Sequence, residues 1–106
     1  MEWIYLLFAG LLEIGWPLGL KLSQTTENKF NWIVFSAVCM IASGVMLYIA
    51  QRSIPMGTAY AIWTGIGAAG AFVFGIILFK EPASVFRIVS VALIILGIIG
   101  LKLSNT

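Results

Sequence analysis

Residues 57–79 read GTAYAIWTGIGAAGAFVFGIILF and contain no charged side chain. An α-helix needs roughly 20 predominantly apolar residues to cross the hydrocarbon core of a bilayer, which is about 30 Å thick. In lipid the backbone polar groups must be hydrogen-bonded within the segment itself, which favours a helix over an open strand. The stretch therefore has the length and the composition of a transmembrane helix.

The composition of the whole chain agrees with this interpretation. Of its 106 residues, 61% are hydrophobic and only 9% are charged, whereas about a quarter of the residues in a soluble domain are charged. So few charges cannot solvate the large relative surface of a soluble domain of this size. We therefore predict an all-α, multi-pass membrane protein.

Three further apolar runs flank this segment and are separated by polar or charged residues. The longest separator is SQTTENK at residues 23–29, which we predict to be a loop. The chain is predicted to form one transmembrane domain, residues 1–106, with short loops between its helices. The four predicted helices cover approximately residues 3–21, 30–51, 56–79 and 83–103.

The residue types exclude several functions. The chain has no histidine and Cys39 is its one cysteine, so the sequence offers no ligand set for zinc or for an iron–sulfur cluster. No nucleophile is placed beside a base, and we expect neither an enzyme nor a bound cofactor or metal. A net charge of +2 without a basic cluster gives no indication of nucleic-acid binding.

The stretch GLLEIGWPLGLK at residues 10–21 places one acidic residue, Glu13, inside the first apolar run. On insertion scales an acid at the centre of a helix costs about 2.5–3.5 kcal/mol, and such residues usually mark a path for ions or substrates. The alternative is a protonated carboxyl group that only hydrogen-bonds a neighbouring helix. Burial disfavours the ionised form and a nearby cation favours it. We interpret Glu13 as a group that binds either a proton or a cationic substrate.

Residues three or four positions from Glu13 share its face of the helix. Gly10 is expected to leave space beside the carboxylate, and Trp16 offers an aromatic face that attracts cations. The alternative for Trp16 is an interfacial anchor. Pro17 cannot donate a hydrogen bond to the carbonyl of Glu13. This predicts a helix break that frees an extra acceptor beside the carboxylate, or else an incidental kink.

The second and third helices contribute further candidate site residues. Tyr60 and Trp63 are three residues apart in the third helix and therefore share a face. Tyrosine can hydrogen-bond a carboxylate, and tryptophan can cover a cation. Ser43, in the middle of the second helix, is a possible hydroxyl partner for the site, or it bonds only a carbonyl of its own helix.

Small residues indicate where helices approach one another closely. Gly97 and Gly100 form a small face on the fourth helix, and such faces permit close helix contacts in membranes. The alternative is ordinary packing of the helices within one chain. Four short helices enclose little interior, so we expect an oligomer that packs through these glycines. Four basic residues on one predicted side and two on the other are a weak positive-inside bias, which would permit insertion in both orientations.

Together, Glu13 followed by Trp16, the segment PMGTAYAIWTGIGAAGA at residues 55–71 and the ending GIIGLK at residues 97–102 resemble the small multidrug resistance family of proton-coupled exporters. The resemblance covers the whole chain. Within the family, E-x-x-W and GTAYAIWTGIG look like the guanidinium exporter subtype more than the quaternary-ammonium subtype. Pro17 departs from the small or branched residue that usually follows the tryptophan.

The resemblance implies an antiparallel, dual-topology homodimer in the bacterial inner membrane, with both Glu13 carboxylates in one central site. It implies exchange of two protons for one cation at these carboxylates. It further implies that Trp16 and Ser43 support Glu13, and that Tyr60 and Trp63 line the portal and the site.

Three functions remain open at this point. The leading one is proton-coupled export of guanidinium or of a small substituted guanidinium such as guanylurea, because a planar cation with several N–H donors pairs with carboxylates and stacks on aromatic rings. The second is polyspecific efflux of quaternary-ammonium or other lipophilic cations. The third, of another class, is a non-transporting membrane partner or lipid-flippase subunit. Some members of the family work as unlike pairs, so a paralogue is an alternative partner.

Overall fold

The computed structural model describes residues 2–104, which form four α-helices and no strand. The helices are α1 (Glu2–Thr25), α2 (Lys29–Ala50), α3 (Met56–Phe79) and α4 (Val85–Ser104). Each is long and apolar enough to cross a membrane. A helix of 24 residues such as α1 is about 36 Å long at 1.5 Å per residue, which exceeds the hydrocarbon thickness. The prediction of an all-α membrane protein with four helices is confirmed.

The first helix is longer than predicted. Residues 23–29 were expected to form a loop, but α1 continues to Thr25. Thr26 donates both its backbone N–H and its hydroxyl group to the Leu22 carbonyl, at 3.0 and 2.8 Å. Because these polar side chains satisfy their donors on helix carbonyls, the polarity of the segment does not end the helix.

The other helix ends lie within two residues of the predicted ones. α4 begins at Val85 instead of residue 83, and the Ser84 hydroxyl accepts a hydrogen bond from the Arg87 backbone N–H at 3.3 Å. This is the bond by which a serine caps the start of a helix. α3 ends at Phe79, and Lys80 follows in the left-handed conformation with φ of 54°, which helices commonly adopt at their C-terminal end.

The four helices form a flat arrangement instead of a closed bundle. α1 packs against both α2 and α3, α4 packs against α3, and α2 and α3 touch only slightly. The Cα atoms extend over 46 × 34 × 16 Å, and only eight hydrophobic residues among residues 2–104 are buried. A single chain therefore encloses very little interior of its own.

Two glycines of α3 bring different neighbours close. A Cβ atom at Gly65 would lie 2.8 Å from Cδ1 of Ile98 in α4, and one at Gly67 would lie 2.5 Å from Cγ of Glu13 in α1. Both distances are shorter than the roughly 3.5–4.0 Å at which carbon atoms make favourable contacts. The two positions lie on opposite sides of α3, so the helix approaches α4 with one and α1 with the other.

The best-buried apolar cluster lies at the end of the molecule where α1 begins and where α2 and α3 are joined. It consists of Leu6, Ala50, Ile54, Ala59 and Ile62. Leu6 is 1% exposed and precedes Glu13 by two turns of α1. The cluster thus holds α1, α2 and α3 together two turns of α1 before Glu13.

α4 takes the least part in this packing. It has no buried residue. Among residues 2–104, no atom outside the adjoining backbone of α4 would lie within 4 Å of a Cβ atom at either Gly97 or Gly100. Contacts within the chain therefore do not require small residues at these two positions.

Candidate functional site

Glu13 and Trp16 lie one turn apart in α1 and are in direct contact. Nε1 of Trp16 donates a hydrogen bond to Oε1 of Glu13 at 2.8 Å, a length typical of charge-assisted bonds. Both side chains are only partly buried. No second hydrogen bond to this carboxylate occurs among residues 2–104, so the other oxygen is available to a ligand.

The wall behind the carboxylate is Gly67 of α3. Gly67 is buried, and the Glu13 side chain occupies the space that a side chain at this position would need. Gly67 was not among the predicted site residues. The signal that could have found it is its spacing, because it follows Trp63 by one turn and therefore shares its face.

Ser43 connects three helices. It is 0% exposed, its hydroxyl donates to the Ala9 carbonyl of α1 at 2.7 Å, and the same oxygen accepts from Nε1 of Trp63 in α3 at 2.7 Å. The structure therefore contradicts the alternative in which Ser43 hydrogen-bonds only its own helix. Since its hydrogen is committed to Ala9, Ser43 positions Trp63 and does not bond Glu13 directly.

Tyr60 and Trp63 form the aromatic pair that the sequence predicts. Their ring centroids are 5.4 Å apart with an interplanar angle of 48°, and Tyr60 is 56% exposed. Ala9 precedes Glu13 by one turn, and Trp63 precedes Gly67 by one turn. The pair and its Ser43 support therefore lie one turn from the carboxylate along both α1 and α3.

Gly10 has a different role from the expected one. A Cβ atom there would lie 2.8 Å from both Cβ and Cγ2 of Ile66 in α3. The space beside Gly10 is thus filled by Ile66, and the glycine permits close packing of α1 on α3 instead of opening a gap beside the carboxylate.

Pro17 does not divide α1. The helix runs through it and continues to Thr25, so the structure has no break in helical structure at this position. A proline removes one backbone hydrogen bond, but its φ of about −65° suits a helix, and the flanking turns remain helical. The missing N–H still leaves the Glu13 carbonyl without the donor that a helix normally supplies at this point.

The arrangement offers a carboxylate with one oxygen bonded to the Trp16 indole and the other free, and the aromatic pair Tyr60 and Trp63 lies one turn away. No group of three or more His, Cys, Asp or Glu side chains within residues 2–104 could hold a metal ion. A carboxylate in apolar surroundings can bind a proton or a cation, and indole and phenol rings favour organic cations.

Comparison with known proteins agrees with this chemistry. A family model described as Small Multidrug Resistance protein matches residues 1–94. The guanidinium exporter of Proteus vulgaris is 48% identical over 105 residues, which are 99% of this chain and 100% of the relative. Guanidinium exporters of Escherichia coli K12 and Yersinia pestis are 51% and 50% identical over 105 residues, covering 99% of this chain and 99% and 100% of the relatives.

These relatives are named as exporters, which are transporters and not enzymes. The four apolar helices and the bacterial exporter relatives identify a multi-pass protein of the bacterial inner membrane. The match of the family model to most of the chain, with full-length relatives at about half identity, shows that the chain belongs to the small multidrug resistance family.

Proposed function

We propose that the protein is a proton-coupled antiporter that exports guanidinium or a small substituted guanidinium such as guanylurea. The observation that carries the proposal is the acidic residue Glu13 within an apolar helix. One of its two carboxylate oxygens accepts a hydrogen bond from Trp16 at 2.8 Å. Relatives of 48–51% identity that are named guanidinium exporters support it.

Coupling follows from the two occupants that one carboxylate can take. A proton neutralises Glu13 and removes the charge that attracts a cation, while a bound cation stabilises the ionised form and disfavours the proton. If the site opens to one side at a time, release of the cation on one side and uptake of protons there become linked. The proton gradient then drives the cation in the opposite direction.

The geometry favours guanidinium among organic cations. Its planar fork of N–H groups can use the carboxylate oxygen that Trp16 leaves free, and its face can stack on an indole ring. A tetraalkylammonium ion has no N–H donor, so it gains only charge attraction and aromatic contact. The difference predicts selectivity for cations that carry N–H groups.

The proposed functional unit is an antiparallel homodimer with dual topology, in which two copies of Glu13 form one site. Lipid covers apolar side chains as well as protein does, so the exposed face of α4 alone does not require a partner. Gly97 and Gly100 support one, because small residues favour helix contacts in membranes and no side chain among residues 2–104 packs on them.

Electrical recording on proteoliposomes that contain only this protein tests the transport function. We expect currents with guanidinium and much smaller ones with tetraethylammonium. Two protons exchanged for one cation move one net charge per cycle, so the current reverses at the potential that this ratio sets. Glu13→Gln is expected to abolish the current, while Glu27→Gln, in the exposed loop after α1, keeps it.

The outcomes separate the functions. Equal currents with both cations would replace guanidinium export by polyspecific efflux. Full activity of Glu13→Gln, or no current from the unmodified protein with any cation, would leave a non-transporting role and refute the antiporter.

Crosslinking of the reconstituted protein tests the proposed interface. Gly97→Leu is expected to reduce the dimer fraction, because a large side chain would separate the two α4 helices. Gly57→Leu makes the same substitution at a glycine of α3 whose Cβ would also meet no described residue within 4 Å, and it should leave the dimer intact. Equal dimer fractions in the two variants would exclude this face as the interface.

A further inference from the structure

A cavity of about 350 Å³ lies at the end of the molecule where α1 and α3 end and α4 begins. Three charged side chains line it: Lys21 of α1, Glu81 of the loop between α3 and α4, and Arg87 of α4. It begins at Pro17, one turn beyond Glu13, and the charged groups lie near the helix ends. These groups are therefore at the level of the membrane where lipid headgroups lie.

The charges of this cavity do not cancel. Nη2 of Arg87 is 3.8 Å from Oε1 of Glu81, with both side chains about 40% exposed (39% and 42%), so this ion pair is loose. Lys21 has no carboxylate within ion-pair distance among residues 2–104, and its Nζ lies 6.0 Å from the centroid of the Phe79 ring. Two cations and one carboxylate leave a net charge of +1.

The rest of the lining is mainly apolar and aromatic. Cζ of Arg87 lies 5.1 Å from the centroid of the Phe72 ring, and Leu18 and Phe74 contribute further apolar surface. The cavity thus combines a positively charged opening with an apolar wall. A molecule that fits both parts carries an anionic group and a hydrocarbon chain.

We propose that this cavity binds an anionic glycerophospholipid, with its phosphodiester between Lys21 and Arg87 and an acyl chain along Phe72 and Leu18. Basic pockets between transmembrane helices bind anionic headgroups. The net positive charge also makes the cavity unsuitable for a cationic substrate, so this site is distinct from Glu13. The proposal does not depend on the proposed transport function.

The structure contains its own control for this proposal. A smaller cavity, of about 190 Å³, lies near the opposite end of the helices, between α1, α3 and α4. It holds a single cation, Lys102, whose Nζ lies 4.6 Å from the centroid of the Trp3 ring. The other residues that line this cavity are apolar or aromatic. It therefore has one cation beside an aromatic ring, as the larger cavity does, but it lacks the second cation.

Titration with lipids followed by native mass spectrometry tests the proposal. The protein in detergent is titrated with phosphatidylglycerol or phosphatidylcholine of identical acyl chains, in the absence of guanidinium. We expect tighter binding of phosphatidylglycerol, and a loss of about fivefold in its apparent affinity in Lys21→Gln, since one lysine near an anionic headgroup contributes that order of affinity. Lys21→Arg and Lys102→Gln should retain the affinity.

A second variant, in which the affinity for phosphatidylglycerol should change in the opposite direction, provides a further test. Glu81→Gln removes the one carboxylate of the cavity, so it should tighten binding of phosphatidylglycerol. If Lys21→Gln does not fold, Glu81→Gln and the comparison of the two lipids on the unmodified protein still test the proposal.

Several results would overturn the proposal. Equal affinities for the two lipids would do so, and so would a loss in Lys102→Gln as large as that in Lys21→Gln. If inorganic phosphate at millimolar concentration displaced phosphatidylglycerol completely, the cavity would be a site for soluble anions and not for lipid.

Discussion

Replacing Ser43 by alanine should destabilise the protein because two interhelical hydrogen bonds depend on one buried hydroxyl. Ser43 is 0% exposed, donates to the Ala9 carbonyl at 2.7 Å and accepts from Nε1 of Trp63 at 2.7 Å. In Ser43→Ala the indole N–H loses its acceptor in a partly buried position. The Ala9 carbonyl lies inside α1, so it loses the hydrogen bond from Ser43 but keeps the backbone hydrogen bond of the helix.

The magnitude follows from these two bonds. Interhelical hydrogen bonds in membrane proteins contribute about 0.6 kcal/mol on average and at most about 1.7. An unpaired buried donor adds a cost of about 1–3 kcal/mol where no water reaches it, and the indole here is only partly buried. We therefore expect the free energy of unfolding to fall by about 1–2 kcal/mol, which is about 5- to 30-fold in the folding equilibrium.

A matched control lies two turns earlier on the same helix. Ser36 is 3% exposed, and its hydroxyl has no hydrogen-bond partner in the described part of the chain. Ser36→Ala removes the same atom from an equally buried place, but no bond is lost and one unsatisfied polar group disappears. The free energy of unfolding should therefore change by less than about 0.5 kcal/mol or rise slightly.

Reversible unfolding in mixed micelles, with SDS as denaturant and far-UV circular dichroism as the signal, measures both variants. Combining Ser43→Ala with Trp63→Phe should give a coupling energy of about 1 kcal/mol, because both changes remove the same bond. If Ser36→Ala were as destabilising as Ser43→Ala, or if the two changes were additive, hydrogen bonding would not be the reason for the burial of Ser43.

Three further substitutions test individual contacts. Gly67→Ala should lower guanidinium transport at least tenfold without unfolding the protein, because the new Cβ would displace the Glu13 side chain. Gly57→Ala, whose Cβ would meet no described residue within 4 Å, should leave transport in proteoliposomes unchanged. Trp16→Phe keeps an aromatic ring but removes the bond at 2.8 Å to the carboxylate, so guanidinium flux should fall by about tenfold, the equivalent of roughly 1.4 kcal/mol; an unaltered flux would exclude a role for that bond. Lys80→Gly should raise the free energy of unfolding by about 0.5–1 kcal/mol, since φ of 54° is costly for any residue with a Cβ, and Lys80→Ala, which loses the charge but not this strain, should give no such gain.

The overall fold was predictable because the solvent leaves few choices. Apolar runs long enough to span lipid must satisfy their backbone hydrogen bonds internally, and four such runs separated by polar residues therefore mean four helices. The prediction failed at the end of α1, where Thr26 bonds the Leu22 carbonyl. Polarity indicates that a residue leaves the membrane, but it does not decide whether the helix continues.

Contacts within one helix were also predictable from spacing alone. Glu13 and Trp16, like Tyr60 and Trp63, are three residues apart, and helical geometry brings such pairs together. Gly10 shows the boundary of this reasoning. Its spacing placed it beside Glu13, but whether the space at a glycine is open depends on what the neighbouring helix inserts there, which is Ile66.

The sequence by itself determined the solvent, the number of helices and the acid that lies within them, because all of these depend on local composition and a fixed helical period. Only the tertiary structure decided which side chains meet across helices. The bonds of Ser43 join residues 34 and 20 positions apart in the chain, and the contact of Gly67 with Glu13 depends on how closely α3 approaches α1. Such contacts depend on the relative rotation and separation of packed helices, which no single segment encodes.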